Sequence, residues 1–131
     1  MAVEVVGAVI VKDNKILAAR RPLHKTLGGL WEFPGGKIDV GETQALALKR
    51  EIKEELKCEV EVNDFIVKEV YTYDFGDIAL STFFCTLKNG EPIATEHIEL
   101  RWLAVNELND VEWAPADYPT LDILKSGKLK G

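Results

Sequence analysis

The segment from Gly36 to Cys58, GKIDVGETQALALKREIKEELKC, constrains this chain most, because it sets a glycine turn ahead of a helix carrying three glutamates on one face. A helix turns by about 100° per residue, so Glu51, Glu54 and Glu55 fall within one quadrant at neighbouring spacings. Ala45, Leu48, Ile52 and Leu56 make a separate apolar stripe, the face such a helix needs to dock on a core. Ala47 lies on the acidic side and is small, leaving space above the carboxylates. Like charges crowded in this way repel, and a hard divalent cation such as Mg²⁺ or Mn²⁺ relieves the repulsion. The helix is expected to form a metal site, against the plainer reading of a solvated acidic face.

The same residues resemble the Nudix hydrolase signature, G-x5-E-x7-R-E-U-x-E-E-x-G-U, where U is a bulky aliphatic residue. Gly36, Glu42, Arg50, Glu51, Ile52, Glu54 and Glu55 match it with every spacing kept. Lys57 stands where the last glycine belongs, and Cys58 takes the final apolar place. That glycine would end the helix in a left-handed conformation. A lysine there costs on the order of 1 kcal/mol or lets the helix run on slightly. The resemblance implies that Arg50 and Glu42 brace the loop against the helix. Arg50 read alone could equally be a surface partner of Glu54 at i,i+4.

A chain of 131 residues is expected to be one domain, spanning 1–131, with room for a real core. Its 47% hydrophobic and 29% charged residues are ordinary for a globular enzyme. No secretory signal pattern and no run approaching a membrane span is apparent. The two cysteines, Cys58 and Cys85, sit in apolar patterns without metal-ligand spacing, which predicts buried thiols and a cytoplasmic location. A net charge of −6 speaks against a general nucleic-acid polymer binder, which needs a broad basic surface. It leaves a nucleotide substrate open, since metal ions and a few well-placed cations can hold a triphosphate.

Alternation predicts strands over Val3 to Lys12 and Lys15 to Arg20, joined at Asp13-Asn14 by a two-residue hairpin turn. A loop from Pro22 to Gly29 leads to a strand at Leu30 to Phe33, broken by Pro34-Gly35-Gly36. Beyond the acidic helix, Glu59 to Phe75 reads as one or two strands and Ile78 to Leu87 as another, before a turn at Asn89-Gly90. Ile98 to Ala104 is a further strand, Val105 to Asn109 a short helix, and Asp117 to Lys125 a C-terminal helix with Pro119 in its first turn. The expected class is α/β, a mixed sheet between helical layers, which the Nudix resemblance also implies.

The resemblance covers essentially the whole chain. Leu30 to Lys37 (LWEFPGGK), Arg20-Arg21, Glu96 ahead of Trp102, and Ala114 to Pro119 (APADYP) are similar to MutT-type members. Those are nucleoside triphosphate pyrophosphohydrolases, among them sanitisers of oxidised dGTP and an enzyme acting on CTP. The resemblance therefore implies Mg²⁺-dependent cleavage of a nucleoside triphosphate to a monophosphate and pyrophosphate. The Gly35 carbonyl with Glu51, Glu54, Glu55 and Glu96 would supply the metal's oxygen ligands. Glu51 is the favoured base, with Glu96 and Glu55 as rivals. The chain is expected as a monomer or homodimer.

Phe33, Pro34, Gly35, Gly36 and Lys37 are candidates for substrate contact. Arg21 is the favoured phosphate contact, because its planar fork fits phosphate oxygens. Arg20 would point to the opposite face of the strand. Phe33 and Trp31 could flank a base or belong to the core. Asp117 stands where oxidised-guanine-selective relatives carry asparagine. Ionised, it only accepts and favours a donor edge such as the N4 amino group of cytosine. Buried and protonated it could also donate, or it could merely cap the last helix. Two other functions stay open: a Nudix hydrolase of nucleoside diphosphate derivatives, and a non-catalytic nucleotide-binding module.

Overall fold

In the computed structural model, which describes residues 1–128, a mixed sheet lies between helices on its two faces. Strand β1 (Val3–Lys12) is its spine. It pairs in parallel with β6 (Gly76–Asn89) from Val3↔Ile78 to Val11↔Thr86. Its other edge is divided between two antiparallel partners: Val5–Gly7 face β4 (Gly35–Lys37), and Val11–Lys12 face β2 (Lys15–Arg20). Asp13 and Asn14, at φ 52° and 62°, make the tight turn between β1 and β2, the left-handed pair that a hairpin twist demands. Strand β2 continues to β3 (Trp31–Glu32) and β7 (Glu99–Leu103), and β5 (Glu59–Tyr73) pairs with β6 at the far edge. Glu59 to Tyr73 is thus a single strand with register shifts near Phe65.

Because helices cover both faces, β1 is apolar on both sides. Val6, Ala8 and Ile10 meet Leu48, Ile52 and Leu56 of α1 (Gln44–Leu56). Val9, Ile16 and Ala18 meet Trp113, Leu121 and Leu124 on the opposite side. Cys58 and Cys85 are buried free thiols, as expected. Among the described residues no helix is long and apolar enough to cross a membrane.

The structure departs from the sequence expectations in several places. Pro34-Gly35-Gly36 does not simply break the chain: the Pro34 carbonyl accepts from Ala8 N at 2.8 Å and Gly35–Lys37 enter the sheet against Val5–Gly7. Small side chains let this segment lie close on β1, where a Cβ at Gly35 would strike the Val6 carbonyl. Ala45 is exposed, because α1 turns its inner face along the rows Ala47-Glu51-Glu55 and Leu48-Ile52-Leu56. The C-terminal helix is broken into a 3-10 turn at Pro115–Asp117, a short α2 (Tyr118–Ile123) and a wider turn at Leu124–Lys128. Asp117 makes no side-chain cap there. Val105–Asp110 is a 3-10 turn.

Candidate active site

Thr43 caps α1 by accepting from Leu46 N at 3.2 Å. Lys57 ends the helix in the left-handed region at φ 58°, its N–H donating to the Lys53 carbonyl. The helix therefore stops where a glycine would stop it. Between these ends Glu51 and Glu55 lie on the inner side and Glu54 on the outer, with 16% of the Glu51 side chain exposed against 58% of Glu54. Gly36 packs on the Glu51 carboxylate so closely that a Cβ there would stand 2.5 and 2.7 Å from its oxygens.

Arg50 ties the preceding loop to the helix. Its Nε and Nη2 form a fork with Glu42 at 2.7 and 2.9 Å, and Nη2 also donates to the Lys37 carbonyl at 3.0 Å. Its Nη1 reaches Glu51 at 2.9 Å and Glu54 at 3.3 Å. Hydrogen bonds from Arg50 and the Asp39 backbone hold the Glu42 carboxyl down at about 2. Charge-assisted forks of this kind fix geometry as well as charge.

Glu55 has the opposite environment. Burial, and then the charges of Glu51, Glu32 and Glu96, push its carboxyl up to about 9. Its Oε1 is buried and finds no hydrogen-bond partner among the described residues. An orphaned carboxylate oxygen in a field of carboxylates fits a hard divalent cation. The ligand set is not closed, however: among the described residues no three His, Cys, Asp or Glu side chains converge. Glu51 and Glu54 are instead turned toward Arg50.

Exposed Glu96 lies in the loop before β7, close enough to raise Glu55 electrostatically. That loop is fastened on both sides of it. The Thr95 hydroxyl donates to the Glu55 carbonyl at 2.6 Å, and His97 Nε2 meets Glu32 Oε2 at 2.9 Å.

A cleft of about 340 Å³ opens beside Glu55 and reaches Asp117. Arg21, Glu32, Phe33, Gly35, Gly36 and Lys37 line it, with Tyr73, Phe75, Ile78 and Leu80. Two larger hollows, of 520 and 500 Å³, lie around Lys57-Cys58 and around Lys88-Gly90, away from Glu55 and Asp117. The smaller cleft is the chemically equipped one, since size alone brings no converging polar groups.

Arg21 lines the cleft with its guanidinium already engaged: Nη1 to Glu32 at 3.1 Å and Nε to the Thr26 carbonyl at 2.7 Å. Arg20 lies away from it, bonded to the Gly29 carbonyl and near Glu99. Phe33 is buried yet lines the cleft, 4.8 Å from the Trp113 ring. Trp31 is a core residue under the Arg101 guanidinium and does not line the cleft. Pro34 is buried in the strand connection without lining it.

Pairing of Trp31 with the Glu112–Ala114 segment sets the tail against β3 and brings Asp117 beside Phe33. Asp117 is buried, and desolvation together with the Glu32 charge pushes its carboxyl well above the usual range, although a Phe33 backbone hydrogen bond opposes this. Burial therefore favours the protonated aspartate, the alternative to the ionised form favoured from sequence. Burial could not be read from a polar residue in a Pro-rich tail.

Sequence reasoning passed over Glu32, His97 and Tyr73. Glu32 touches Arg21 and His97, and the Tyr73 hydroxyl accepts from Ala116 N at 2.9 Å. Alternation along Trp31-Glu32-Phe33 was a signal for Glu32, because its neighbours point to the core.

The NUDIX domain model matches residues 1–123. The chain is 41% identical over 116 residues to a putative 8-oxo-dGTP diphosphatase 2 of Mycobacterium tuberculosis, covering 86% of this chain and 81% of that one. It is 38% identical over 120 residues to the CTP pyrophosphohydrolase of Escherichia coli K12, covering 92% and 89%. A solution structure of MutT from methicillin-resistant Staphylococcus aureus 252 is similar at 45% identity and a TM-score of 0.79, covering 97% of this chain and 98% of that one. With the signature helix, its bracing arginine and the cleft it borders in place, this chain belongs to the Nudix hydrolase family.

Proposed function

We propose that this protein hydrolyses a (deoxy)nucleoside triphosphate, with an ordinary or oxidised base, to the monophosphate and pyrophosphate. The observation that carries this reading is one cleft holding the orphaned Glu55 carboxylate and the buried Asp117 carboxyl together. Relatives that act on CTP and on 8-oxo-dGTP support the same substrate class.

Phosphoanhydride hydrolysis needs charge neutralised on the phosphoryl oxygens and a water held in line. Mg²⁺, or Mn²⁺ in its place, supplies that neutralisation when bound. Glu51, Glu55, Glu96 and the Gly35 carbonyl would hold it, with Glu54 at the outer edge. A carboxylate among Glu51, Glu55 and Glu96 takes the proton of the attacking water. Arg21 and Lys37 orient phosphate oxygens, and Phe33 walls the base. Arg50 and Glu42 hold the Gly36 loop on the helix. In the protonated form that burial favours, Asp117 both donates and accepts, a pattern met by the N4 and N3 edge of cytosine and by the N7–H and O6 edge of 8-oxoguanine. A single domain in a reducing cytoplasm, with no polymer or membrane partner, completes the reading.

Glu55→Gln tests it. Turnover should fall on the order of a thousandfold or more, while nucleotide binding stays within a few-fold. A wild-type protein that binds nucleotide, turns nothing over and is unaffected by Glu55→Gln would be a binding module instead.

A further inference from the structure

His97 is a buried histidine whose side chain is hydrogen-bonded to Glu32. Only 5% of its side chain is exposed. Nε2 lies 2.9 Å from Glu32 Oε2, and Nδ1 is buried without a partner among the described residues. A ring nitrogen facing a carboxylate oxygen must donate, so Nε2 carries a proton and Nδ1 is left unanswered. An unsatisfied buried nitrogen costs stability, and an apolar side chain would fill the same space without that cost.

Glu32 has two oxygens and two partners. Oε2 takes His97, and Oε1 takes Arg21 Nη1 at 3.1 Å. With Nε held on the Thr26 carbonyl, the Arg21 guanidinium is fixed in its plane at the cleft wall. On the other side of His97, Glu96 stands between the His97 contact and the Thr95 bond to the Glu55 carbonyl. One imidazole thus joins the arginine side of the cleft to the carboxylate side.

We propose that His97 is a positioning residue: by donating to Glu32 it orients Arg21 for the substrate's phosphates and seats the loop that carries Glu96. The proposal rests on the reading of the cleft as a triphosphate site. It predicts that the donor at Nε2 matters, not the imidazole as such. Glutamine can place an amide N–H near that point, whereas asparagine is too short and reaches only the Nδ1 position.

The test compares His97→Gln, His97→Asn and Glu32→Gln, singly and as the Glu32→Gln/His97→Asn pair, in intact protein. Affinity is read by calorimetry with an α,β-imido triphosphate and Mg²⁺, and kcat and KM are read separately. His97→Asn should weaken analogue binding and raise KM by about tenfold, and His97→Gln should stay within about threefold of wild type. On top of Glu32→Gln, His97→Asn should add almost nothing, as expected of residues acting in series. Equal damage from glutamine and asparagine, no effect of asparagine, or fully additive losses in the pair would overturn the proposal. Should His97→Asn fail to fold, His97→Phe, which fills the pocket without a donor, takes its place in the same comparison. A wild-type protein that neither binds the analogue nor cleaves triphosphates would fail the functional reading itself.

Discussion

Gly36 rests directly against the carboxylate of Glu51, at a separation that leaves no room for a Cβ. The signature glycine is thus a matter of contact between strand and helix, and not of backbone freedom. Gly36→Ala should drive Glu51 off its seat and disturb its 2.9 Å bond to Arg50. Displacement of this size costs on the order of a hundredfold in kcat/KM. The check is steady-state kinetics beside a melting curve, and an alanine variant with wild-type kcat/KM would contradict the placement of Glu51.

Glu55 makes stability depend on pH. In the folded chain without metal it keeps its proton up to about 9, against an ordinary value of 4.5. Between those values the folded state binds more protons than the unfolded one. Its contribution to stability is therefore full below 4.5 and lost as pH rises toward about 9. Asp117 acts with the same sign. A bound divalent cation replaces the Glu55 proton, so stabilisation by Mg²⁺ should grow across this window, with proton release. Melting curves at pH 5, 7 and 9, with EDTA or Mg²⁺, measure both trends. Glu55→Gln should flatten the first and remove most of the second; an unchanged slope would assign the effect elsewhere.

At Asp117 burial favours the protonated carboxyl, and in that form asparagine is a fair substitute, since its amide also donates and accepts. Asp117→Asn should keep the base preference, with kcat/KM within about tenfold, whereas Asp117→Ala should lose about ten- to a hundredfold. Competition between cytosine nucleotides and 8-oxo-dGTP is the measurement. A preference reversed by asparagine would mean that the ionised form reads the base.

Lys57 holds a left-handed conformation at φ 58° that glycine adopts freely. Lys57→Gly should stabilise the fold by up to about 1 kcal/mol, a rise of a few degrees in Tm. Calorimetry decides it, and a lower Tm would show that unfolded-state entropy outweighs the strain.

Much of this could be read in the sequence because local patterns dictated it. The Asp13-Asn14 turn, the acidic helix and the apolar β1 each follow from residue type and spacing. What was hidden depended on contacts between distant segments. Gly35–Lys37 form a strand only because β1 has a free half-edge there. Ala45 looks core-facing on a helical wheel but is exposed, while Ala47, on the acidic row, is buried. Asp117 is buried because β3 and the tail close over it together, and Glu32 meets His97 across 65 residues. None of these pairings leaves a periodic trace.

The most direct test is pyrophosphate release by the purified protein with Mg²⁺ over CTP, dCTP, 5-hydroxy-dCTP, 8-oxo-dGTP, dGTP and dATP. Stoichiometric pyrophosphate and monophosphate, with a preference for cytosine nucleotides or for 8-oxo-dGTP, is the predicted result. Orthophosphate as the product, or cleavage of nucleoside diphosphate derivatives alone, would contradict it.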